Sequence, residues 1–300
     1  MTLDPDDYGY LNHIYTKNRD ETYQVIYNWR ELLDEYTATE PKLLMTEAYA
    51  DLDLVVRYYG NGSRNGSVPF NFSFLSDVGR ETTARDIKQV IDTWMTHMPV
   101  GGTANWVNGN HDQSRLASRV GAERVDAMNL LALLLPGIAV TYQVGVGGYF
   151  QSIAGIFRVA GGRDRDDRRL CLLEDTKDPQ AVNTGDPVSY LRKSRDPERT
   201  PYHWDGSRNA GFTNGSSTWL PIAHNYRTVN LARQMEDSNS HYHFYRDLAA
   251  IKKTPAVRYG DLETRALSDS ILVVIRLLPD TPVVAGIVNL GEEETVDLSA

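Results

Sequence analysis

The 300-residue chain is 41% apolar and 10% aromatic, with 13 prolines, a composition that excludes disorder, collagen and long coiled coil. Its 31 basic and 40 acidic residues leave a net charge of −9 at neutral pH, so no broad positive face is offered to phosphate backbones and nucleic acid is not an expected partner. The single cysteine, Cys171, can make neither an internal disulfide nor a Cys-rich zinc site, and no apolar run reaches the roughly 18 residues that span a bilayer.

From residue 22 to about 142 helical and strand signals alternate, the mark of a parallel sheet with crossover helices. Ile26, Trp29, Leu33 and Tyr36 fall at helical spacing before Pro41. Thr83 is placed to cap a second helix whose apolar face is Ile87, Val90, Ile91, Trp94, Met95 and Met98. Strand-like runs near Leu43–Tyr49, Val68–Phe74, Ala104–Asn108 and Ile138–Tyr142 recur at the length of one βα unit. Residues 176–220, rich in Asp, Arg, Pro, Gly and Asn, read as a long ordered loop. Helical character returns at Val229–Met235 and His241–Lys253, and after Pro255 the texture becomes β. Strands are expected at residues 270–277 and 281–290, and a third beginning at Glu292. A domain boundary is expected near residue 256.

N-x-S/T sequons stand at Asn61, Asn65, Asn71 and Asn214, three of them crowded into residues 61–73. The cluster favours glycosylation and an extracellular or secreted protein. The opening Met1-Thr-Leu-Asp-Pro-Asp-Asp has no basic or apolar signal region, so the expectation is that the true N-terminus lies upstream.

Two places put carboxylates where predicted parallel strands end, the edge that holds the chemistry of (β/α)8 barrels. They are Thr46-Glu47-Ala-Tyr49 and Trp106-Val-Asn-Gly-Asn-His111-Asp112. Glu47 alone reads equally well as a solvated strand end. Asn-Gly-Asn-His-Asp instead gathers amides, an imidazole and a carboxylate at one turn, a density of donors and acceptors suited to sugar hydroxyls. Glycoside hydrolysis needs paired carboxylates: one protonates the leaving oxygen and, in retaining enzymes, another attacks the anomeric carbon.

These two segments resemble the third and fourth signature regions of the α-amylase superfamily, glycoside hydrolase family 13. Arg199-Thr-Pro-Tyr-His-Trp204-Asp205 resembles the RTPxxWD loop of its α-glucosidase branch. With Asp6-Asp-Tyr-Gly-Tyr-Leu-Asn-His-Ile-Tyr15 and Glu174-Asp-Thr-Lys-Asp-Pro-Gln180, the resemblance to insect maltases covers nearly the whole chain except residues 144–173. It implies an α/β fold, the C-terminal half (strands five to eight) of a (β/α)8 TIM barrel over residues 1–255, carrying a long substrate loop at 174–220. A partial antiparallel β-sandwich would follow over 256–300. It also implies a retaining α-glucosidase acting on terminal α-linked glucose of maltose- or sucrose-type sugars, with a small oligosaccharide as partner; no cofactor is expected and no metal-ligating residue is singled out. Glu47 would be the general acid/base and Asp112 the carboxylate that stabilises the transition state. His111 would assist at the ring hydroxyls. Arg199, Trp204 and Asp205 would wall the substrate pocket, with loop anchoring as the equal alternative.

The family's nucleophile motif, G-x-R-x-D-A, and its D-x-x-x-N-H region do not occur in these 300 residues. The chain is therefore expected to be a fragment, inactive alone. Residues 144–173 fit neither the βα rhythm nor the family. Ala160–Leu173 can be back-translated so that reading one base later gives Q-G-E-E-I-G-M-I-D-G-Y-V-S, the family's strand-eight sequence, and the segment is expected to be intron-derived. A non-catalytic superfamily member, resembling the transporter-associated heavy chains or a carbohydrate-binding glycoprotein, is the alternative. A doubly wound fold would need a phosphate-binding glycine loop after the first strand, and none is seen.

Overall fold

The computed structural model describes residues 8–143, 176–183 and 193–297. The segment 144–173, expected to be intron-derived, lies outside them, as do Asp6, Asp7, Glu174 and Asp175 of the quoted motifs. Helix α1 (Asp20–Asp34) buries Tyr23, Ile26 and Tyr27, whereas Trp29 and Tyr36 of the expected face are exposed. The tyrosines set this rotation, because their hydroxyls donate to the carbonyls of Leu54 and Arg57 at 3.2 and 2.6 Å.

Strand β1 (Met45–Thr46) is followed by helix α2 (Leu52–Val55) and pairs in parallel with β2 (Val68–Pro69). Helices α3 (Ser73–Ser76) and α4 (Ala84–His97) lead to β3 (Asn105–Val107); α5 (Leu116–Val120) and α6 (Val125–Leu134) then lead to β4 (Ile138–Val140), again parallel to its predecessor. Each of these strands lies inside one of the four runs the alternation marked, but is shorter. Buried Asn105 joins the two pairs. Its Nδ2 donates to the Pro69 carbonyl at 2.6 Å and its Oδ1 accepts from the Asn71 amide at 2.8 Å, so a side chain makes the bonds a backbone ladder would otherwise supply.

Helix α4 begins as its sequence requires. The Thr83 hydroxyl accepts from the Asp86 amide at 3.2 Å while the Asp86 carboxylate accepts from the Thr83 amide at 2.9 Å, a reciprocal cap. Ala84, Ile87, Ile91 and Trp94 form its buried face. They meet Trp106 of β3 and Met128, Leu131 and Leu134 of α6 in one core.

Helices α7 (Pro179–Val182), α8 (Leu231–Glu236), α9 (His241–Ile251) and α10 (Pro255–Tyr259) precede an antiparallel sheet. Its order is β5 (Asp261–Ala266), β6 (Ile271–Leu277), β7 (Val284–Asn289). Three expectations change here. Pro255 opens a helix at its first position, where a missing amide costs nothing. β5 was not anticipated, since its charged, half-buried residues hide the strand pattern. Residues 292–297 are not a strand; three successive glutamates give no apolar face to bury. Among the described residues this is a single sheet and no second one faces it as in a sandwich; it packs on α4 and α6, and Leu272, Val274 and Val288 join the same core as Trp106. Buried Arg276 donates to the carbonyls of Leu134 and Gly260 at 2.7 and 2.6 Å, satisfying the open end of α6. Gly286 lets β7 press on that helix, because a Cβ there would sit 2.4 Å from the Leu134 side chain.

Candidate active site

The C-terminal ends of β1, β2 and β3 converge on Tyr49. Its ring stacks on Phe72 at 4.4 Å and its phenol oxygen accepts from Asn110 Nδ2 at 2.9 Å. Partial burial pushes the Tyr49 phenol up, and the negative charges of Glu47 and Asp112 add to that push. The Tyr49–Asn110 bond thus ties the loop that carries Glu47 to the turn that carries Asp112, 65 residues away in sequence. Glu47 follows β1 directly and is exposed.

The Asn108–Asp112 turn is rigidly held. Asn110 Oδ1 accepts from the amides of Asp112 and Gln113 at 3.0 and 2.9 Å, and buried Asn108 Nδ2 donates to the Met128 carbonyl at 2.9 Å. Arg119 donates to the carbonyls of Asn108, Phe74 and Leu75 at 2.7, 3.0 and 3.2 Å, pinning the turn to the end of α3. Burial lowers this guanidinium to about 10, so it stays charged at neutral pH.

Asp112 is the hub of the site. Its Oδ1 accepts from Arg199 Nη2 at 2.5 Å and from Arg195 Nη1 at 3.0 Å. Its Oδ2 lies 3.5 Å from His111 Nε2. Arg199 Nε also donates to the His111 carbonyl at 3.0 Å, so Arg199 holds the turn by both backbone and carboxylate. Arg195 in turn clasps Asp178, whose side chain has no exposure, through Nε and Nη2, both at 2.8 Å. Burial opposes charge on Asp178, but the Arg195 bonds and the Gln180 amide outweigh it and hold the carboxyl down to about 2. Arg195 is raised by the same partners, Asp178 first.

Beneath this hub lie buried Glu198, Arg115 and His203. Burial pushes Glu198 up to about 7, against the pull of Arg115 and Arg199. The Tyr142 hydroxyl donates to the Glu198 carbonyl at 3.0 Å, and the Arg115 guanidinium sits 5.2 Å from the Tyr142 ring centre. A narrow cleft opens between Asn110, Arg115 and Tyr142. Burial lowers His203 to about 4.

Thus His111, Asp112 and Arg199 come together, and Glu47 stands exposed on the neighbouring loop that Tyr49 ties to their turn. Trp204 and Asp205 take their hydrogen bonds within residues 203–232. The Trp204 amide donates to Ala210 at 2.9 Å, its carbonyl accepts from Ala232 at 3.0 Å, and its half-exposed indole leans on Tyr202. Asp205 accepts from the Ser207 amide at 2.8 Å, and the Ser207 hydroxyl first, then this amide, lower its carboxyl. Of the sequons, Asn61, Asn65 and Asn214 are exposed. Asn71 is only 1% exposed and its Oδ1 accepts from Ser73, so that amide is not presented to a glycosylating enzyme in the folded chain. Among the described residues no group of three His, Cys, Asp or Glu side chains could hold a metal ion, and no helix is long and apolar enough to cross a membrane.

Sequence reasoning gives no role to Arg195, Asp178 or Glu198, and none to Tyr49 beyond its place in the Thr46–Tyr49 segment. The Asp178-Pro179 pair inside the quoted 174–180 segment was the available signal for Asp178. An ion pair spanning 83 residues, as Arg195–Asp112 does, leaves none.

Parallel strands with crossover helices, carboxylates at their C-terminal ends and an appended antiparallel sheet define a TIM-barrel-type α/β protein. The alpha-amylase catalytic-domain model matches residues 2–260, and the chain belongs to that family. It is 40% identical over 304 residues to Maltase A1 of Drosophila melanogaster, covering 99% of this chain and 49% of that protein. It is 38% identical over 295 residues to the salivary alpha-glucosidase of Anopheles gambiae, covering 97% and 47%. The chain spans about half the length of these curated relatives. The trehalulose synthase MutB from Pseudomonas mesoacidophila superposes with a TM-score of 0.69 at 23% identity, over 90% of this chain and 50% of that one, a likeness of fold.

Proposed function

We propose that this chain carries the acid/base half and the sugar-gripping carboxylate of a retaining α-glucosidase that removes terminal α-linked glucose from maltose- or sucrose-type sugars. One observation carries the reading: Glu47 follows β1 and Asp112 lies in the turn after β3, the two loops are tied by the Tyr49–Asn110 hydrogen bond, and Arg195 and Arg199 hold Asp112. Glu47, exposed to the approaching sugar, protonates the glycosidic oxygen and later deprotonates the attacking water. Asp112 accepts hydrogen bonds from ring hydroxyls as positive charge develops at the anomeric carbon. His111 and Arg199 wall the pocket at Asp112, while Trp204 and Asp205 take the alternative role of anchoring their loop. The covalent intermediate requires a further carboxylate as nucleophile. The family's G-x-R-x-D-A aspartate does not occur among these 300 residues, so the 300-residue chain by itself turns over little maltose. The four parallel strands correspond in this reading to strands five to eight of the barrel. Residues 1–255 form the barrel part with its 174–220 loop, and 256–300 the β part. The kinship with a salivary enzyme and the exposed sequons Asn61, Asn65 and Asn214 support a secreted glycoprotein.

The test uses protein expressed from full-length cDNA and follows glucose release from maltose and sucrose. Glu47→Gln and Asp112→Asn are each expected to lose at least about a thousandfold in kcat, in line with removal of a catalytic carboxylate. Wild-type turnover by either variant would overturn the assignment.

A further inference from the structure

Resting on the glycosidase reading, we propose that Asp178 and Arg195 are positioning residues for Asp112. Together they fix which of its oxygens meets the sugar.

Asp178 is not needed as an ion pair for local structure. Its Oδ1 caps the four-residue helix α7 through the Gln180 amide at 3.1 Å, a task a neutral asparagine performs as well. Yet it is fully buried and charged, and burying a charge is costly unless it is paired. The pairing is specific. Arg195 presents Nε and Nη2 to the two carboxylate oxygens in a fork, and its own amide donates to Oδ2 at 2.7 Å. A bidentate guanidinium has its plane fixed, and that plane aims the remaining Nη1 at Asp112 Oδ1, 3.0 Å away. Arg199 Nη2 reaches the same oxygen at 2.5 Å. Two charged donors on Oδ1 pin the carboxylate rotation. Oδ2 is left facing the solvent-exposed His111 ring at 3.5 Å, too far for a strong hydrogen bond, and is the oxygen presented to a sugar hydroxyl. The chain of contacts thus runs from a buried anion, through a rigid cation, to the working carboxylate.

The experiment measures kcat and KM for maltose, and calorimetric binding of the iminosugar 1-deoxynojirimycin, on protein expressed from full-length cDNA. The variants are Asp178→Asn, Arg195→Lys, Asp112→Asn and the Asp178→Asn/Asp112→Asn double. Arg195→Lys keeps the charge but loses the fork, and gives a second reading should Asp178→Asn fail to fold. Each of the two positioning variants is expected to lower kcat about tenfold or more with KM changed by less than about threefold, because the grip matters most in the transition state. On top of Asp112→Asn, the Asp178 change is expected to cost less than about twofold, since the carboxylate it orients is already gone. Equal losses in both backgrounds would show that Asp178 merely supports its loop, and would overturn the inference, as would wild-type kinetics for both positioning variants. Should the wild type neither hydrolyse maltose nor bind the iminosugar, the glycosidase reading falls. The relay is then read separately from the arginine Nε–H resonances: Asp178→Asn should shift Arg199 as well as Arg195, and an unmoved Arg199 overturns it.

Discussion

Glu198 shows how a single residue ties the stability of the site to pH. Its carboxyl is 4% exposed and burial raises it from an ordinary value near 4.5 to about 7. The folded chain therefore binds this proton more tightly than the unfolded chain. The neutral form contributes its full stability below about 4.5, and that contribution is lost as pH rises through about 7. His203 has the opposite sign. Burial lowers it to about 4, so its contribution is present above the ordinary imidazole value and is lost as pH falls through about 4. The signature of Glu198 is consequently a difference between proteins. Glu198→Gln should gain stability relative to wild type at pH 8 by roughly 2.5 kcal/mol more than at pH 5, the part of the linkage for a shift of this size that falls between these pH values. Thermal melts of both proteins at the two pH values check this, and an unchanged gap between them would contradict it.

At the scale of elements, stability turns on how the two parallel pairs are joined. Each pair has only two or three residues in register, too little to stand alone, and Asn105 bridges them. Asn105→Ala would leave the Pro69 carbonyl and the Asn71 amide without their buried partner. It should cost about 3 kcal/mol, read as a lower urea midpoint with an unchanged slope; a stability loss under about 0.5 kcal/mol would mean the pairs are joined some other way. This bridge was invisible in the sequence, where Asn105 is one polar residue beside Trp106. Helix α4 was legible because its signals are local: Thr83 and Asp86 three residues apart, then an apolar stripe. The strand positions were legible from alternation, but their ends were not, because tertiary contacts decide where pairing stops. β5 escaped because its inner face is only half covered. The expected strand at Glu292 does not form over residues 292–297, because three successive glutamates give it no apolar face to bury.

For the whole molecule, one core runs from α4 and β3 through α6 into the C-terminal sheet, and the site forms where loops from β1, β3 and residues 193–205 meet. The motif residues Glu47, His111, Asp112 and Arg199 could be read in the sequence because each lies in a short contiguous segment. The residues that orient them could not, because Arg195 finds Asp178 and Asp112 only after folding. Trp204 and Asp205 carry a recognisable motif, yet their hydrogen bonds shape a turn. The account stands or falls on the stereochemistry of the reaction. Protein expressed from full-length cDNA, given an aryl α-glucoside in an NMR tube so that glucose comes only from the cleaved residue, should release glucose first as the α-anomer, before mutarotation, because a double displacement through the acid/base and a nucleophilic carboxylate retains configuration. β-Glucose as the first product, or no glucose at all, would contradict the retaining mechanism and the acid/base role given to Glu47.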